Sequence, residues 1–112
     1  MSSASGHARA PDPAPIFAAL GDRTRLSLLM KLSDGQTRSI ARLSADTSLT
    51  RQAITKHLRV LETAGLVEGR RVGRESRFAL RPEPIAEARS YLDGVAAQWD
   101  DALSRLRAFV ER

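Results

Sequence analysis

From Ile16 onward apolar residues recur at intervals of three and four: Ile16, Phe17 and Leu20, then, after a Gly21-Asp22 break, Leu26, Leu29 and Leu32. That spacing places them on one face of an α-helix, so the segment predicts two short helices in succession. Asp22 stands where a side chain caps the second, and Ser33-Asp34-Gly35 supplies the turn chemistry that ends it. A third helix is predicted from about Thr37, burying Ile40, Ala41 and Leu43. The run Ala45 to Ser48 is too short and too polar to be more than a tight connection. Thr50 is a good cap for a fourth helix, which runs to about Ala64 and is closed by Gly65. Its faces separate cleanly. Ala53, Ile54, Leu58 and Leu61 fall on one side, while Arg51, Gln52, Thr55, Lys56, Arg59 and Thr63 fall on the other side or its flanks.

After Gly65 the period changes from that of a helix to that of a strand. Leu66 to Val72 and Arg77 to Leu80 alternate like two short strands, joined by Gly73-Arg74-Glu75-Ser76. Pro82 and Pro84 then stop the second strand and open a last helix, from about residue 84 to residue 111. This helix carries a heptad pattern: Ile85, Leu92, Trp99 and Leu106 form one seven-spaced row, and Ala88, Val95, Ala102 and Phe109 a second. At 1.5 Å per residue it is about 40 Å long, more than its own small domain can cover, so part of the stripe is expected to meet another subunit. Gly94 in its interior costs about 1 kcal/mol against alanine and is left without a firm account beyond close packing.

Composition narrows the picture without changing it. With 112 residues, 42% apolar and 28% charged, the chain has room for one ordinary globular core, residues 16–112, and a small core gains much from burying a further face against a second copy. Met1 to Pro15, built of Ser, Ala, Gly and Pro, can neither bury surface nor keep a helical ladder and reads as a flexible tail. As an arm reaching into a DNA groove it would have only His7 and Arg9 to offer. No cysteine is present, which removes disulfides, thiolate metal sites and thiol nucleophiles. No apolar run approaches a membrane span or a signal-peptide core, so a cytoplasmic protein is expected.

The net charge of +5 is localised. Between Arg51 and Arg81 lie eight basic residues against three acidic ones, while the rest of the chain holds ten of each. The positive field therefore comes from the fourth helix and the hairpin, and points to a polyanionic partner. A helix face of Arg, Gln, Thr and Lys offers the donors suited to guanine O6/N7, adenine N6/N7 and phosphate oxygens.

Three stretches carry a family resemblance. Ile16 to Leu26 (IFAALGDRTRL) resembles the opening of ArsR-type regulators, with Arg23 where proline is common. Leu49 to Val67 (LTRQAITKHLRVLETAGLV) resembles that family's recognition helix, and Arg70 to Glu75 its wing. The resemblance implies a mainly α winged helix-turn-helix with about five helices and a two-stranded wing. It implies a homodimer that represses by occupying two-fold operator DNA and releases it on a signal. Double-stranded DNA is then the partner of Thr50, Arg51, Gln52, Thr55, Lys56, His57, Arg59, Arg71, Arg74 and Arg77. Phe17, Leu20, Ile85, Leu92, Val95, Trp99, Leu106 and Phe109 are expected to form the dimer interface. His57 resembles a family histidine that holds the helix and touches the phosphate backbone, and a hydrogen-bonded structural role is favoured over base readout.

The resemblance also marks what is missing. Metal-sensing members carry paired cysteines before the turn, or His and acidic ligands on the terminal helix. Thr37 to Ser44 has no cysteine and Pro84 to Arg112 no histidine. No metal or other cofactor is expected, which implies indifference to zinc, cadmium, arsenite and nickel, and the sequence names no effector. An enzyme is not expected: no Ser or Thr has a matching histidine, and adjacent Asp100 and Asp101 point about 100° apart on a helix. A winged helix that binds protein instead of DNA needs neither the basic helix face nor the basic wing.

Overall fold

The structure, a computed structural model, describes residues 12–112. Its elements in chain order are α1 (Ala14–Leu20), α2 (Arg23–Lys31), β1 (Arg38–Ser39), α3 (Ile40–Ser44), α4 (Arg51–Thr63), β2 (Val67–Val72), β3 (Glu75–Leu80) and α5 (Pro82–Val110). Three helices pack around Leu28, Leu32, Leu43, Ile54, Leu58 and Leu61, all almost fully buried, and Leu66 and Val67 extend that core to the base of the hairpin. The apolar periodicity is its cause: each of these side chains lies on the inward stripe of its helix. Caps fix the helix starts. The Asp22 carboxylate accepts from the Arg25 N–H, and the Thr50 hydroxyl from the Ala53 N–H, both at 3.0 Å.

The structure departs from the expected elements at four boundaries. Helix α1 begins at Ala14, so the last residues of the expected tail are helical, with Pro15 in the first turn where its missing N–H costs nothing; residues 1–11 of that tail lie outside the described residues. The third helix begins at Ile40, because Thr37-Arg38-Ser39 is extended. Arg38 and Ser39 pair antiparallel with Phe78 and Arg77, making a three-stranded sheet in the order β1-β3-β2 instead of a simple hairpin. Ser39, buried, then caps α3 through its hydroxyl and the Arg42 N–H at 3.1 Å. The hairpin turn is shorter than expected: Val72 pairs with Glu75, and Gly73 at φ +63° closes the turn with Arg74 alone, as glycine does at the first central position of a type II′ turn. Finally, α5 starts at Pro82 and not Pro84, both prolines fitting in its first turn.

Gly69 lies opposite Phe78 in the ladder, and a Cβ there would come within 2.7 Å of the buried Phe78 ring. A rigid ring cannot swing aside as a flexible chain can. Gly69→Ala is therefore expected to lower stability by about 1–3 kcal/mol, as overpacked core sites do. Urea denaturation at fixed protein concentration measures this, and an unchanged midpoint would contradict it.

Helix α5, 29 residues, has little of the chain to lie against. Of its two heptad rows only Ala88 is buried, while Leu92, Trp99, Leu106 and Phe109 are 52%, 64%, 58% and 66% exposed. A Cβ at Gly94 would meet nothing within 4 Å among the described residues, so close packing among them does not explain it.

Candidate nucleic-acid interface

Three buried residues of α4, Ile54, Leu58 and Leu61, fix the roll of that helix against α2 and α3. That roll turns Arg51, Gln52, Lys56 and Arg59 outward, all exposed. At its far end Glu62 accepts the Gly69 N–H at 3.3 Å, tying the helix to the base of the wing. The β2–β3 hairpin then folds back so that its turn faces the start of α4 across a cleft. Arg51 and Thr55 of the helix, Arg74, Glu75 and Ser76 of the wing turn, and Ser39 to Ala41 at the head of α3 line one cleft of about 340 Å³. Among the described residues, Arg51, Lys56, Arg59, Arg71 and Arg74 have no carboxylate within ion-pair distance, whereas Arg70 and Arg77 pair with Glu68 and Glu75. These cations of α4 and the wing leave a field that phosphate can neutralise.

Residues 22–69 match the family model described as bacterial regulatory protein, arsR family. The chain is 43% identical over 76 residues to the HTH-type transcriptional regulator YuzN of Bacillus subtilis, spanning 62% of this chain and 83% of that one. An ArsR-like transcriptional regulator from Rhodococcus sp. RHA1 superimposes with a TM-score of 0.76 at 35% identity, over 87% of this chain and 91% of that one. This chain belongs to the ArsR family. It is a DNA-binding transcriptional regulator with the winged helix-turn-helix fold. A further relative of known structure, the homodimeric winged helix-turn-helix DNA-binding domain of Mb0332 from Mycobacterium bovis, gives a TM-score of 0.60 at 26% identity, covering 80% of this chain and 82% of that one.

Within this ArsR-family regulator the residues expected at the interface divide by environment. Thr50 is spent on capping α4. Thr55 donates its hydroxyl proton back to the Arg51 carbonyl at 2.7 Å, leaving its methyl and the lone pairs of its oxygen to a partner. Arg59 lines a different cleft, of about 520 Å³ between α1 and α4, with Pro15, Ala18 and Val60. Arg77 is turned inward: Nε donates to Thr37 Oγ1 at 3.0 Å and Nη2 to the Thr37 carbonyl at 3.1 Å, holding β3 to the head of β1. His57 is half-buried and faces Arg25 and Asp22. Phe17 and Leu20 pack partly against the chain's own core, and the Phe17 ring lies 5.8 Å from that of Tyr91 on α5.

Two features of this surface are not evident from the sequence. Arg42, exposed on α3, shares a polar cleft of about 400 Å³ with Gln36, Arg38 and Arg77; its place on the outer side of a five-residue helix is too short a signal to read. Arg25 stands in the sequence only as one letter of a family motif, and its partners lie on other helices. Among the described residues no three His, Asp or Glu side chains converge where they could hold a metal ion, and no helix is long and apolar enough to cross a membrane.

Three carboxyls are held below the usual range. For Asp22 the Arg25 N–H is the main cause, followed by the charges of Arg25 and His57; for Asp34 it is the Gln36 N–H and then Arg38; for Asp46 it is the hydrogen bond from Lys31. A depressed folded-state pKa means that each stabilises the fold above the ordinary carboxylate pKa of about 4 and loses that contribution as pH falls through and below it. The thermal midpoint should therefore fall between about pH 5 and pH 3, and fall less in the triple variant D22N/D34N/D46N. Equal falls in the two proteins would show that other groups govern acid stability.

Proposed function

We propose that the protein is a homodimeric repressor that lays two α4 helices into successive major grooves of a two-fold operator, each wing resting on the flanking backbone. The observation that carries this is the shared cleft: base-competent residues at the head of α4 and the cation at the wing tip border one continuous surface, as a reader and its clamp must. The dimer is supported by the apolar stripe of α5, along which Leu92, Trp99, Leu106 and Phe109 are exposed as contiguous apolar residues at interaction sites are, and by the homodimeric relative. The unit begins with α1, α5 is its dimerisation helix, and its site of action is the cytoplasm, where its DNA lies.

Selection of bound duplexes from a random pool tests the proposal. The expected product is an inverted repeat with half-site centres one helical turn apart, about 34–36 Å. Its affinity should fall steeply with salt. Recovery of an asymmetric site, or of no sequence at all with salt-independent binding, would refute it.

A further inference from the structure

One guanidinium joins three helices at the corner where α1 turns into α2. Helix α1 ends at Leu20, where the Ala18 carbonyl still accepts the Gly21 N–H at 3.2 Å while no backbone N–H beyond the helix reaches the Ala19 carbonyl among the described residues. Arg25, in the first turn of α2, folds back over them: its Nε donates to the Ala19 carbonyl at 2.6 Å and its Nη2 to the Ala18 carbonyl at 3.4 Å. Its Nη1 lies 3.3 Å from Nδ1 of His57, on α4. The Asp22 carboxylate accepts the Arg25 backbone N–H at 3.0 Å and stands 3.7 Å from the same imidazole nitrogen.

Two consequences follow from chemistry alone. Arginine only donates, so the contact with His57 is a hydrogen bond only when Nδ1 presents its lone pair, which puts the ring proton on Nε2. And because an open cleft separates much of α1 from α4, bordered by Ala18, Val60 and Thr63, this polar joint spans a gap that side-chain packing leaves. On its other side α1 meets α5 through Phe17 and Tyr91. A contiguous path thus runs from the exposed stripe of α5 through α1 and Arg25 to the recognition helix.

We propose that Arg25 is a positioning residue for DNA recognition, setting the angle and distance of α4 relative to α1 and α5, and holding His57 as its Nε2–H tautomer. This rests on the dimeric DNA-binding reading above: the joint fixes the separation of the two recognition helices and hence the half-site spacing the dimer accepts. Lysine cannot replace it, since a single ammonium lacks the planar fork that reaches two carbonyls and an imidazole together.

The joint is tested first without DNA. In the free wild-type protein at pH 8, nitrogen NMR of the imidazoles should find His57 as the Nε2–H tautomer, with His7→Gln resolving the assignment, and Arg25→Met should give a mixture. A wild-type His57 protonated on Nδ1 overturns the proposal even if neither Arg25 variant folds. Selection from a library of two half-sites with a randomised spacer comes second. The wild type should accept one spacing; Arg25→Met and Arg25→Lys should accept several and lose about tenfold on the best full site, within the usual range of coupling between sites. Binding to a duplex with a single half-site should change less than the full-site affinity. Variants that keep the wild-type spacing, or lose equally on both duplexes, overturn the proposal. A wild type that selects no DNA refutes the DNA-binding reading, and the tautomer still judges the joint.

Discussion

Trp99→Asp should turn the protein into a monomer at micromolar concentration and abolish tight operator binding. Trp99 is 64% exposed on a stripe that continues through Leu92, Leu106 and Phe109. Burying such a side chain contributes about 1.5–3 kcal/mol, and two-fold symmetry counts it twice. The carboxylate that replaces it would also be desolvated without a partner, which costs several kcal/mol more in a dry interface. A loss of at least about 4 kcal/mol raises the dimer dissociation constant by about a thousandfold. Operator affinity falls with it, because two linked half-sites gain about 10²–10⁴ from effective concentration that separate monomers forgo. Sedimentation velocity on the variant checks the first effect and titration of operator DNA the second. Ser104→Asp, the same new charge on the opposite side of α5, should leave both unchanged. A Trp99→Asp protein that sediments as a dimer would show that the stripe is covered by something other than a second copy.

What is legible in the sequence, and what is not, divides by the range of the interactions. The recognition helix can be read because everything that defines it is local: the Thr50 cap, the Gly65 stop and an apolar row at helical spacing, seen in the structure as buried Ile54, Leu58 and Leu61. The α5 stripe is legible for the same reason, and its exposure turns a periodicity into a surface that lacks a cover. Strand β1 is not legible. Two residues cannot show a period of two, and Arg38 and Ser39 are extended only because Phe78 and Arg77, far along the chain, pair with them. By sequence the wing turn spans four residues because Glu75 and Ser76 are polar, yet ladder pairing with Val72 and Arg71 claims both. Arg77 shows how composition misleads: by sequence it is one more wing cation, while in space the Thr37 carbonyl and hydroxyl hold it. The Arg25–His57 joint crosses 32 residues, beyond any periodicity.

Substitution of base-reading and phosphate-binding residues should separate specificity from affinity. Recognition helices present their first turns to the base edges, and here those turns carry Arg51 and Gln52, both exposed. Arginine pairs with guanine O6/N7 and glutamine with adenine N6/N7, each through two hydrogen bonds, so Arg51→Ala or Gln52→Ala should cost about 1–3 kcal/mol and relax preference at one or two symmetric operator positions. Thr55→Ala should have the smallest effect of the three, since its hydroxyl proton is committed to the Arg51 carbonyl and what it offers a base is mainly a methyl. Arg74, exposed in the two-residue wing turn, borders the same cleft and has no ion-pair partner among the described residues, which suits a phosphate and not a base. Arg74→Ala should therefore weaken binding to every sequence alike and reduce the salt slope by about one for each phosphate no longer neutralised, or about two per dimer. Arg77→Ala should differ from both: its guanidinium holds β3 to Thr37, so the loss should register in thermal stability before it registers in the salt slope. Binding-site profiles and salt titrations on the same set of variants distinguish the three behaviours. A profile left unchanged by substitutions at all of Arg51, Gln52 and Thr55 would remove α4 as the base reader, even in a protein that still bound DNA.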